Sequence, residues 1–160
     1  MKASILRAAV GVVAVLGGLL IASPAQAADG PDSVRVRYPS WTSISGGLAT
    51  ANLDFVGQKT VIFRNFTVRD ICPSDGRPVR AYVTTWGTDG VRRTWAAAKA
   101  DTNGCGPDGT NFGTVTHKTS LTVARAGLTV CVYTNSAGNL RCVHSGGRDN
   151  PYVSAPGTGR

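Results

Sequence analysis

Glutamate is absent from this 160-residue chain: all nine acidic residues are aspartate, and histidine occurs only at His117 and His144. Without Glu there is no H-E-x-x-H zinc helix, no bidentate closing ligand for a calcium loop, and no glycosidase pair other than two Asp. The aspartates at Asp75, Asp89, Asp101 and Asp108 stand among Gly, Pro and Asn, where Asp commonly forms turns by bonding its own backbone. A G-x-S-x-G nucleophile elbow is also missing. Helical periodicity hardly occurs, which leaves strands as the main building element.

Long apolar runs are scarce too. The uncharged stretch Ala8–Ala22, built of Ala, Val, Leu, Ile and Gly, rises only about 22 Å as a helix, against a hydrocarbon core of roughly 30 Å. It follows Lys2 and Arg7 and ends in Ser23-Pro24-Ala25-Gln26-Ala27, whose Ala25-x-Ala27 pattern is that of a bacterial-type signal-peptidase site. Residues 1–27 are therefore expected to be a cleavable export signal, with no stable membrane anchor and a secreted, extracellular product. Cleavage lowers the formal charge from +8 to +6, and the basic residues that remain are mostly Arg. Arginine forks suit an anionic partner through carboxylate or phosphate.

An even set of four cysteines, Cys72, Cys105, Cys131 and Cys142, in an exported chain predicts two disulfides. Leu128–Tyr133 and Asn139–Ser145 read as arms of a hairpin in which Cys131 faces Cys142, leaving Cys72 to pair with Cys105. His144 then falls opposite Thr129.

Alternation predicts further strands. Val34, Val36 and Tyr38 alternate with Arg35 and Arg37 in an expected edge strand, and Ala49, Ala51, Leu53 and Phe55 alternate with polar residues. In Thr60–Ile71 the apolar face switches from Val61 and Phe63 to Phe66 and Val68, which predicts a bulge near Asn65. Val79–Trp86 and Val91–Asp101 flank Asp89-Gly90, a hairpin signal strong enough to override the helical propensity of Thr94–Ala100. The expected fold is all-β: one immunoglobulin-like β-sandwich of seven or eight short antiparallel strands over residues 33–145, with flexible ends at 28–32 and 146–160.

A two-residue turn at Asp89-Gly90 would pair Trp86 with Arg93, Thr84 with Trp95 and Tyr82 with Ala97. One face would then carry Tyr82, Trp86, Arg93 and Trp95, the candidate binding set, and the other Val79, Ala81, Val83, Ala96, Ala98 and Ala100. The bulk of the rings argues for placing them in the core. The small apolar residues opposite argue for a core on that side and an exposed aromatic and arginine patch of hot-spot type.

Other constellations are weaker. His144, Ser145 and Asp149 carry the residue types of a hydrolytic triad, but neighbours in a strand point to opposite faces. Asp101-Thr102-Asn103-Gly104-Cys105 imitates a calcium loop, yet Phe112 occupies the closing position. No catalytic residue, metal ligand or cofactor is therefore assigned, and nucleic acid is not an expected partner. The function expected is a non-enzymatic, secreted binding protein for an extracellular protein or a cell-wall glycan. Two alternatives stand beside it. One is a protease inhibitor presenting the loop Cys72–Pro78, although Arg77 before Pro78 mimics a cleavage site poorly. The other is an adaptor subunit of a larger secreted assembly such as a toxin particle, using the N-terminal edge strand.

Overall fold

The computed structural model describes residues 29–37, 46–71, 77–95, 98–134 and 138–153. The expected export signal, Cys72 with the turn that follows it, Ala96, Ala97 and the tip of the Cys131–Cys142 hairpin lie outside the described residues.

The chain forms β1 (Gly30–Arg37), β2 (Gly46–Phe55), β3 (Thr60–Ile71), β4 (Arg80–Gly87), β5 (Arg92–Thr94), β6 (Lys99–Ala100), β7 (Thr110–Asn111), β8 (Val115–Lys118), β9 (Val123–Tyr133), β10 (Leu140–His144) and β11 (Arg148–Asp149). No helix occurs among the described residues, and the helix-prone stretch ends β5 and supplies β6. The first sheet runs β1-β2-β3-β7, with β8 also on β3; the second runs β10-β9-β4-β5, with β6 on β4 and β11 on β9. Every strand pairing is antiparallel. Contrary to the expectation of short strands throughout, β2, β3 and β9 run 10, 12 and 11 residues. The shorter segments come in pairs along one neighbour, β5 with β6, β7 with β8 and β10 with β11, because loops interrupt those outer positions.

The two sheets share one apolar core. From the first come Val34, Val36, Ala49, Ala51, Leu53, Phe55, Val61, Phe63, Phe66 and Val68; from β4 and β9 come Ala81, Val83, Ala126, Leu128, Val130 and Val132. Phe55, Phe63 and Phe66 are almost completely buried, and each such side chain stabilises the fold by roughly 1.5–3 kcal/mol. The expected bulge is present in β3. Asn65 adopts φ 52°, and the β2–β3 register shifts between Thr50 and Asn52, so that Phe63 and Phe66 both face inward across it. Gly47 allows the layers to approach, since a Cβ there would lie 2.5 Å from Val79 Cγ1 and 3.2 Å from Val130 Cγ2.

Strand pairing and hydrogen bonds extend into described residues at both ends of the domain. Gly30–Asp32 already belong to β1, and Asp29 Oδ1 accepts a hydrogen bond from Phe55 N at 2.9 Å. At the other end β11 pairs with β9, and the buried Asn150 donates to Gly57 O (3.0 Å) and Val123 O (2.8 Å). Its residues look like tail in sequence because the bonds that hold them are polar and distant. Among the described residues β1 is an edge strand, paired only with β2 and carrying exposed Arg35 and Arg37.

Candidate binding face

The β4–β5 hairpin sets the geometry of the site, and its turn is one residue longer than expected. Gly87 N donates to Val91 O (3.1 Å) and Gly90 N to Gly87 O (3.0 Å), with Gly90 at φ 73°. The loop is thus Thr88-Asp89-Gly90, a tight turn followed by a left-handed glycine. Asp89 also accepts from Val91 N (3.0 Å), which steadies the turn. In consequence Trp86 pairs with Arg92, Thr85 with Arg93 and Thr84 with Thr94.

A slip of one residue exchanges the faces of the partner strand, so the four candidate residues divide. Tyr82 and Trp86 stay together, half-buried, on the outer face of the second sheet. Arg93 and Trp95 lie on the other side. Trp95 packs against the core, donates through Nε1 to Thr85 Oγ1 at 3.0 Å, and sets its ring 4.4 Å from that of His117. Arg93 pairs with Asp89 (Nη2–Oδ2 2.6 Å), and this contact, first among several, holds the Asp89 carboxyl down to about 2. Arg92 takes the place next to Trp86 that had been expected for Arg93. The small residues Ala81 and Val83 are indeed on the core side, while Ala98 is exposed and the Tyr82–Ala97 pair involves a residue outside those described.

Register places Arg125, Thr129, Cys131 and Tyr133 of β9, with Cys142 and His144 of β10, on the same outer face as Tyr82 and Trp86. The floor between the rings is polar. Thr84 Oγ1 and Thr129 Oγ1 share a hydrogen bond (2.5 Å), and Thr129 Oγ1 is 2.6 Å from His144 Nδ1. Both threonines are buried. Burial, with a smaller contribution from Arg92, holds the His144 imidazole below its ordinary pKa. Arg125 Nε reaches Asp149 Oδ1 at 2.7 Å, and the edge of the Trp86 ring lies against Gly147, where a Cβ would come within 3.0 Å of Cζ3. Further along the face, the guanidinium groups of Arg77 and Arg80 stand 4.9 and 5.5 Å from the centre of the Tyr133 ring.

Cys131 and Cys142 are joined across β9 and β10 with Cα atoms 4.1 Å apart, as their register required. Cys105 is also disulfide-bonded. Its expected partner, Cys72, and most of the loop considered for protease inhibition fall outside the described residues.

The residues of the imagined triad do not converge. Ser145 Oγ points away from His144, donates to Asp32 Oδ2 (2.6 Å) and accepts from Leu128 N (2.9 Å), while Asp149 holds Arg125. Burial raises the Asp32 pKa, only partly opposed by the Ser145 hydrogen bond. In the calcium-like loop, the Asp101 carboxylate already accepts from Asp70 N, Asn103 N and Thr110 Oγ1 at 2.7, 3.0 and 2.6 Å. It organises a turn. No group of three or more His, Cys or Asp able to hold a metal occurs among the described residues.

A shallow hollow of about 340 Å³ on the outer face of the first sheet is lined by small and polar residues, among them Ser33, Thr50, Asn52, Asn65 and Thr67, and has no aromatic wall. No known protein family, curated protein or solved structure matches the chain. The functional reading therefore rests on the residues themselves. Arg80, Arg92 and Tyr133 were missed as site residues, and a three-residue reading of Thr88-Asp89-Gly90 would have found Arg92.

Proposed function

We propose that this is a secreted, non-enzymatic binding protein that presents the outer face of its second sheet to an extracellular protein or cell-wall glycan. The observation that carries this reading is the pair Tyr82 and Trp86. Both are half-buried on the central strand β4, with guanidinium groups beside them. Aromatic side chains held on a rigid sheet lose little conformational entropy on binding, and Trp, Tyr and Arg dominate the energetics of recognition. We read the sandwich as immunoglobulin-like in its second sheet, whose β10-β9-β4-β5 order follows the G-F-C-C′ pattern. Its hairpin disulfide and the consecutive β1-β2-β3 of its first sheet depart from that type.

The test is retention of the mature protein on cell-wall material and on proteins captured from culture medium. Parent and a Tyr82→Ala/Trp86→Ala variant are compared, with folding checked by circular dichroism. Retention lost in the variant supports the reading; no retention of the parent on either, or equal retention of both, refutes it. The adaptor reading is favoured by the one-sided pairing of β1, and its signature is co-elution with a larger complex that is abolished by proline substitution in β1.

A further inference from the structure

We infer that the ligand of this face is an anionic saccharide, held with a sugar ring against Trp86 and its carboxylate or phosphate between Arg92 and His144. This rests on the binding reading above and adds the chemistry of the ligand. The first ground is the floor. A face meant for a protein's apolar hot spot would be floored by aliphatic side chains, whereas Thr84, Thr129 and His144 form a hydrogen-bonded polar row beside the Trp86 and Tyr82 rings. With the threonine hydroxyls buried and paired, a ligand meets the two rings and the His144 imidazole, which suit the apolar C–H faces and hydroxyls of a sugar.

The second ground is charge. Arg77 just before β4, Arg80 at its start, Arg92 from β5 and Arg125 from β9 all belong to this face, where Arg125 engages Asp149. The basic groups are all guanidinium forks, suited to two-point contact with carboxylate or phosphate.

His144 makes the site responsive to protons. The groups sharing its face are Arg92, Arg80, Tyr82, Arg125, Tyr133 and Asp149, and Asp32 of β1, bonded to Ser145, stands beside Gly127 of β9. An anion beside Arg92 would offset both the burial and the repulsion that lower the His144 pKa. Binding would then take up a proton at His144.

Calorimetric titration of the mature protein with oligogalacturonate, its methyl-esterified counterpart and single-stranded DNA, at about pH 5.5 and about pH 8, tests this. Oligogalacturonate is expected to bind, gaining up to about tenfold in affinity per pH unit through the titration range, the limit for uptake of one proton. Trp86→Ala should lose at least about tenfold at both pH values, a loss of about 1.4 kcal/mol. His144→Gln should flatten the pH profile. Equal binding of the esterified sugar, comparable binding of DNA, or an unchanged pH profile in His144→Gln would overturn the inference. If no anionic sugar binds but Tyr82→Ala/Trp86→Ala still abolishes retention on a wall or protein partner, the inference fails and the binding reading stands. If that variant retains normally, both fail.

Discussion

Replacing Ser145 with alanine tests the polar junction between the two sheets. The ladder of β10 ends at His144, and there the Ser145 hydroxyl substitutes for a strand carbonyl. It accepts from Leu128 N at 2.9 Å and donates to Asp32 Oδ2 of β1 at 2.6 Å. Ser145 and Leu128 are both buried, so Ser145→Ala leaves an amide hydrogen without an acceptor, at a cost of about 1–3 kcal/mol. Loss of the bond to Asp32 adds to this and is partly offset as water reaches the half-exposed carboxylate. The sum is about 2–3 kcal/mol, or a fall of roughly 10 °C in the melting midpoint at about 4 °C per kcal/mol. Urea unfolding of the oxidised mature protein at neutral pH measures it. Asp32→Asn is the control. Because burial raises the Asp32 pKa above 3.8, this group stabilises the fold most fully below that value, and the contribution is lost as pH rises through the raised folded value. Asp32→Asn should therefore cost less than about 1 kcal/mol at neutral pH and remove that loss. A Ser145→Ala variant within about 0.5 kcal/mol of the parent, or an Asp32→Asn variant as unstable as Ser145→Ala, would refute the reasoning.

Three further outcomes follow from the core and its staples. His117 Nε2 is buried without a hydrogen-bond partner and burial lowers its pKa from 6.5, so the stability tied to its neutral form is complete above that value and is lost as pH falls through the folded pKa. His117→Phe should keep the ring contact with Trp95 and remove that acid-side slope in urea midpoints; an unchanged slope would assign it to other groups. Gly47→Ala places a Cβ 2.5 Å from Val79 Cγ1 and should destabilise by about 1–3 kcal/mol, with part recovered in a Gly47→Ala/Val79→Ala double variant if overpacking is the cause. Replacing both Cys131 and Cys142 by alanine removes a bridge of sequence separation 11 and should cost roughly 3 kcal/mol on chain-entropy grounds, with a loss below about 1 kcal/mol counting against that account.

Much of the architecture could be read along the chain. Strict alternation marks β1 and β2, the switch of face between Phe63 and Phe66 marks the bulge, and Asn, tolerant of the left-handed region, stands where the bulge needs it. The Cys131–Cys142 register followed from the hairpin arms alone. The packing of 146–153 was hidden, since Asn150 acts through hydrogen bonds to residues far off in sequence, and polar residues carry no periodic signature of burial.

The aromatic face shows where local reading stops. Asp-Gly is compatible with a turn of two residues or of three, and the difference of one residue carries Arg93 and Trp95 to the inner side and brings Arg92 beside Trp86. The side chosen as core was equally open locally, because small residues alternate with large ones along β4. Sequence by itself determined an all-β chain rich in arginine, the expected export signal and the cysteine pairing across β9 and β10. Only tertiary structure decided that Ala81 and Val83 face the close-packed partner sheet and that Tyr82 and Trp86 face outward. The physical reason is that a period of two specifies which residues share a face, while the approach of a second sheet, permitted by Gly47, specifies which face is buried.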